Sequence, residues 1–174
     1  MKKYLPILLL IIALSGFVTP QQEYPVPPAA PGHLFYIQHS NNHNTFVYDA
    51  NFTSPKKLDD KEPVKVYRIT YTKGGIKEEL NPMQRKLAYG IDFKKTGTNA
   101  FDCTLAAYPA KKLSLKLHAD GKPYVTVTVN GKNIVLKKMF LLVNKTGTSV
   151  IHIDFYGKDS ATGKEIKERF IIEK

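Results

Sequence analysis

The strongest constraint in this chain is a two-residue alternation of apolar and polar side chains, cut at short intervals by turn-forming pairs. Leu113, Leu115 and Leu117 alternate with Ser114, Lys116 and His118. Val125, Val127 and Val129 share a face, and Ile151, Ile153 and Phe155 alternate with His152, Asp154 and Tyr156. Successive side chains of a strand point to opposite sides of a sheet, so each run reads as a strand with one buried face. Asp120-Gly121 and Asn130-Gly131 lie between runs. Asn-Gly is the stronger hairpin signal, because a type I′ turn needs positive φ at both central residues. Toward the N-terminus, Leu34–His39 and Thr45–Asn51 flank a polar turn, Ser40-Asn41-Asn42-His43-Asn44, and Val64–Thr72 alternates up to Lys73-Gly74-Gly75.

Ten Tyr and nine Phe, together with many Val, Ile and Thr, favour strands over helices. One helix is expected, at about 82–90. Asn81 suits its N-cap, Pro82 its first position and Gly90 its end. The expected fold is mainly β: an antiparallel β-sandwich or barrel of about nine or ten strands with that one short helix. Antiparallel pairing follows from the tight turns, since parallel neighbours need long crossovers. On the helix Met83 and Leu87 form an apolar stripe one turn apart, expected to pack, with Gln84 and Arg85 lying off it.

The first residues have the three parts of a secretory signal: Lys2 and Lys3, the apolar run Leu5–Leu14, and the small residues Ala13, Ser15 and Gly16. The apolar stretch from Tyr4 to Val18 is 15 residues, short of the roughly 20 that a spanning helix needs. The expected organisation is a signal peptide at 1–16, a linker at 17–32 carrying five prolines, and one β-rich domain at 33–174. The expected location is periplasmic or extracellular in a bacterium, with no membrane span after signal cleavage. The single cysteine, Cys103, excludes an internal disulfide and falls on the apolar side of its strand, as a buried, inert thiol would.

Net charge is +11. The lysines come singly or in pairs along the whole chain, without the basic run of a nucleic-acid binder, so no nucleic-acid partner is expected. An anionic envelope component or glycan is the partner class that a basic exported surface favours.

Candidate ligand-binding residues fall in two segments. The first holds His39, Asn41, Asn42, His43 and Asn44, where amides could grip a hydroxyl-rich or carbonyl-rich ligand or simply cap a turn. The second holds Gln84 and Arg85, whose guanidinium can take a carboxylate or phosphate. Tyr48 and Tyr67 stand on neighbouring strands and could line a cleft between the two segments. His39 and His43 have the i, i+4 spacing of a zinc pair, but that spacing works on a helix rather than across a strand end and a turn. No metal or other cofactor is expected. Phosphate loops, nucleophile elbows and trusted carboxylate pairs are lacking, so catalytic residues stay unassigned.

Several segments carry a resemblance: Leu34-Phe35-Tyr36-Ile37, Ser40-Asn41-Asn42-His43-Asn44, Val47-Tyr48-Asp49, Pro63-Val64-Lys65-Val66-Tyr67 and Gln84-Arg85-Lys86-Leu87-Ala88-Tyr89-Gly90. Together they resemble the bacterial family catalogued as domain of unknown function 4833, over about residues 33–174. The resemblance implies an exported bacterial protein and no particular activity. The residues themselves favour a non-catalytic periplasmic or cell-envelope binding module. The alternatives are a hydrolase-like enzyme using His39 or His43 with Arg85 and a tyrosine, and a structural domain without a small ligand. Intact-mass analysis of the protein from its native envelope should show loss of about the first 16 residues; a full-length chain in the membrane fraction contradicts export by cleavage.

Overall fold

The computed structural model describes residues 24–172. The expected signal peptide and the first part of the expected linker, up to residue 23, lie outside the described residues. Within them the chain is mainly β with one short helical segment.

The strands are β1 (His33–His39), β2 (Asn42–Ala50), β3 (Phe52–Ser54), β4 (Lys57–Leu58), β5 (Val64–Thr70), β6 (Ile76–Glu79), β7 (Ile91–Gly97), β8 (Ala100–Leu105), β9 (Tyr108–Leu117), β10 (Pro123–Val129), β11 (Lys132–Val143), β12 (Val150–Asp159) and β13 (Glu165–Ile171). Eleven of them form one large curled sheet, ordered β6-β5-β2-β1-β11-β10-β9-β8-β7, with β12 and β13 branching from β11. The hairpin β3–β4 stands apart.

The sheet is mixed, which corrects the expectation of purely antiparallel pairing. β1 runs parallel to β11, with Tyr36 opposite Lys138 and His39 opposite Leu141. The two strands are far apart in sequence, so no tight turn joins them and no local signal marks their pairing. Every other pairing in the sheet is antiparallel.

β11 organises the sheet. Its first residues, Lys132–Val135, pair with β10, whereas Lys138–Leu141 pair with β1. Its other edge carries β12 from Ile134 to Val143, with a bulge between Leu136 and Lys138. A bulge bends and twists the strand that carries it, so the two halves of β11 face different neighbours. Gly157 sits opposite the bulge, where an added Cβ would overlap the Val135 carbonyl oxygen. Asn130 and Gly131 have φ of 50° and 78°, the left-handed pair that the Asn-Gly turn predicts.

Inside the curl lies one apolar core that includes Phe35, Phe46, Tyr48, Phe101, Leu115, Ile134 and Phe155. Leu58 of the small hairpin is fully buried in it, and its amide donates to Asn99 Oδ1 (2.9 Å), so the hairpin covers the end of the curl beside the β7–β8 turn. Cys103 belongs to this core, and burial pushes its thiol up to about 12. On the outer face Val47, Tyr67 and Ile69 form a second small cluster with Tyr36.

The described part of the proline-rich stretch lies on this outer face. The Pro25 carbonyl accepts from Thr45 Oγ1 (2.6 Å) and Gln38 Nε2 (3.2 Å), and the Tyr24 ring stacks on His43. Among the described residues no helix is long and apolar enough to cross a membrane.

The bulge and the Asn-Gly turn differ in how much they constrain. Gly157→Ala should destabilise by about 2–3 kcal/mol, because backbone has to move, and Gly131→Val by about 1 kcal/mol. Urea unfolding of both variants checks that order.

Candidate functional site

The end of the curl opposite the β3–β4 hairpin is hollow. A cavity of about 250 Å³ lies between the inner faces of β1, β11 and β12 and two turns. Ile37, Met139, Leu141 and Ile153 make its apolar wall, and Asn41, Asn42, Thr148 and Ser149 its polar border. His39, Tyr89 and Tyr108 also line it.

His39 is placed by the end of β1. Only 8% of it is exposed, and its ring stands edge-on to Phe46 and Tyr89 at 5.8 and 5.4 Å. His39 Nε2 is buried with no hydrogen-bond partner among the described residues. Burial lowers its pKa from 6.5 to about 4, so the imidazole is neutral near pH 7. A neutral imidazole carries one donor and one acceptor, and apolar wall surrounds this one.

The polar border comes from two turns held together. Ser40 Oγ accepts from the Val143 amide (3.0 Å), and the Ser40 amide donates to the Leu141 carbonyl (3.0 Å), fastening the β1–β2 turn to the end of β11. Asn144 Oδ1 accepts from the Thr148 amide (2.9 Å), closing the loop before β12. Asn41 lies against that loop: a Cβ on Gly147 would come within 2.9 Å of Asn41 Nδ2.

The helical segment supplies the third side. It starts as an α-turn, Pro82–Gln84, capped reciprocally by Asn81 and Gln84, and widens into a π-turn, Arg85–Tyr89. Tyr89 stacks on Phe46 at 3.4 Å, and Tyr48 Oη donates to the Tyr89 carbonyl (2.8 Å). Tyr89 and Ala88 thus take the inner place, leaving Met83 and Leu87 at 66% and 59% exposed. The expected packing stripe is therefore displaced, because the π-turn changes which residues share a face.

The candidate residues divide accordingly. His39, Asn41 and Asn42 meet at the cavity. Tyr48 lies beneath its wall, fully buried and stacked on Phe35 at 4.4 Å. Gln84 is used in the cap, with Oε1 accepting from the Asn81 amide (3.1 Å). Arg85 points away, 3.6 Å from Glu79, and lines a separate cleft with Glu62 and Asp92. Asn44 Oδ1 accepts from the Tyr71 amide (3.1 Å), and Asn42 Oδ1 from the Asn44 amide (3.0 Å), so part of this amide cluster is local scaffolding. His43 stacks between Tyr24 and Tyr71, and Tyr67 lies in the outer cluster under the Lys77 ammonium. The turn puts the two histidines on opposite faces, His39 against Phe46 and Tyr89 and His43 against Tyr24 and Tyr71. Among the described residues no three His, Cys, Asp or Glu gather as metal ligands.

Sequence reasoning missed Tyr89, Tyr108, Met139 and the 144–149 loop. The one local signal was the small, polar run Asn144–Ser149, which reads as an ordinary loop. A family model described as Domain of unknown function (DUF4833) matches residues 35–169. No curated protein and no solved structure matches the chain.

The neutral His39 makes stability depend on pH. Above 6.5 neither state holds a proton on it; between 6.5 and about 4 the unfolded chain binds one that the folded protein does not. Stability should therefore fall as pH drops through that window, by up to about 3 kcal/mol. The carboxylates of Glu78 and Asp154 are held down to about 2 from 4.5 and 3.8, chiefly by Lys73 and Thr70 and by Arg169, so their stabilisation is lost from those ordinary values down to about 2. His39→Leu should flatten the slope between pH 6.5 and 4 in thermal melts while leaving the more acidic loss in place.

Proposed function

Because the chain belongs to the DUF4833 family, described only as a domain of unknown function, we propose its function from the site: it is an exported binding protein that takes a small, mainly apolar, uncharged ligand into the open end of the curled sheet. The carrying observation is His39, an unpartnered and neutral imidazole on the wall of an apolar cavity. Burying a polar group without a partner costs about 1–3 kcal/mol, which a ligand hydroxyl or carbonyl reaching the ring recovers. At about 250 Å³ the cavity is at or below the low end of small-molecule sites. A charged ligand fits poorly, since among the described residues no charged side chain lines the wall to offset its desolvation.

Export is part of this reading, supported by Lys2, Lys3 and the Leu5–Leu14 run. The cavity favours binding over hydrolysis. A His base needs a hydrogen-bonded nucleophile and a pKa near the working pH. His39 Nε2 has no partner among the described residues, and its pKa is low for that role.

Ligand-observed NMR with cyclohexanol and phenol, beside cyclohexanecarboxylate, tests the proposal. Both alcohols should bind and the carboxylate should not. Ile153→Trp, which fills the cavity, should abolish binding, and His39→Leu should weaken it by about tenfold. Equal binding of the alcohols by the native protein and Ile153→Trp would overturn the cavity as the site.

A further inference from the structure

The outer face carries a second constellation. Strand register places Tyr36, Lys138, Tyr156 and Lys167 side by side on β1, β11, β12 and β13, as direct cross-strand neighbours. The Lys138 ammonium is 5.9 Å from the centre of the Tyr36 ring, 5.5 Å from Phe140 and 5.4 Å from Tyr156. Lys167 Nζ stands 5.1 Å from the same Tyr156 ring. These rings and Lys138 are each partly exposed.

Charge in this row is unbalanced. Asp154 is the buried carboxylate here, and Arg169 already grips it with two bonds, Nε to Oδ1 (2.7 Å) and Nη2 to Oδ2 (2.9 Å). Lys167 approaches the same carboxylate at 2.9 Å, so two cations share one anion. Lys138 has no carboxylate within ion-pair distance among the described residues, whereas its neighbour Lys137 pairs with Glu165. Burial, then the Lys167 ammonium, pull the Lys138 pKa below the ordinary lysine value, and an anion placed beside it would offset both effects. Tyr24, at the start of the described residues, borders the row and meets Phe140 edge-on at 5.6 Å.

Partly exposed aromatic rings and an uncompensated ammonium suit one class of ligand. Sugar rings lay their C–H faces on tyrosines, and a carboxylate on the sugar meets the lysine between them. Adjacent strands are about 4.8 Å apart, so Tyr36 and Tyr156, two strands apart, stand roughly 10 Å apart. That spacing lets alternate rings of an extended polysaccharide rest on the two tyrosines. We infer that the outer face formed by Tyr36, Lys138, Tyr156 and Lys167 is a binding site for an acidic, carboxylate-bearing polysaccharide, separate from the cavity.

Calorimetric titration of the full mature chain with polygalacturonate, beside dextran and polyphosphate, tests this. Polygalacturonate should bind, with an affinity that falls as salt is raised, and dextran should not. Lys138→Gln keeps the alkyl stem and should weaken polygalacturonate binding by about tenfold, as should Tyr156→Leu. Lys57→Gln, remote on the small hairpin, should leave it unchanged. Circular dichroism melts confirm that each variant is folded; if Tyr156→Leu is not, Tyr36→Leu takes its place. No binding of polygalacturonate overturns the site, and so does an equal loss in Lys57→Gln. If polyphosphate binds as tightly and depends equally on Tyr156, the sugar assignment falls.

Discussion

One long strand with three neighbours carries this fold. β11 pairs with β10 along its first part, with β1 along its later part and with β12 along its other edge. A strand in a flat sheet has two neighbours, one per edge. β11 gains the third because its bulge at Lys137 turns one half away from the other. Gly157 lets β12 follow that bend closely, since a side chain there would meet the Val135 carbonyl. The branch lets the sheet curl around its own core, so Phe35 of β1, Leu136 of β11 and Phe155 of β12 share one interior.

The curl gives the protein two chemically different faces. The inner one is apolar down to the cavity, where His39 is the exception. The outer one mixes tyrosines with lysines and has a small apolar cluster of its own. Simple alternation carries β1 and β2 as far as the turn that joins them. A register shift lies between Gln38 and His39, just ahead of the turn. His39 continues the inward series of Phe35 and Ile37 and lies against Phe46 and Tyr89, while His43 continues the outward series of Thr45 and Val47 and lies against Tyr24 and Tyr71. Two histidines four residues apart thus do unrelated jobs.

The helical segment makes the same point. Its cap at Asn81 and its proline are local features, and local chemistry fixes them. Its later course is set by Tyr89, which stacks on Phe46 and receives the Tyr48 hydroxyl on its carbonyl. Seating that tyrosine widens the turn, and Arg85 goes outward to Glu79 instead of toward the Asn-rich turn. Of the candidate residues, His39, Asn41 and Asn42 reach the cavity. Polarity in a short segment marks where a chain turns; it does not distinguish an amide that caps from one that faces a ligand.

Taken by itself, the sequence determined the longer alternating strands, the Asn130-Gly131 turn, the buried Cys103, the capped helical start and the family. Each rests on neighbouring residues, whose φ preferences and two-residue alternation act over a few positions. Only the tertiary structure decided the parallel pairing of β1 with β11, the branch at β11, the cavity lined by His39 and the row from Tyr36 to Lys167. Those features join residues some hundred positions apart. Their pairing is chosen by the shape of the closed core and by bulges that shift register, and no short window of sequence contains either.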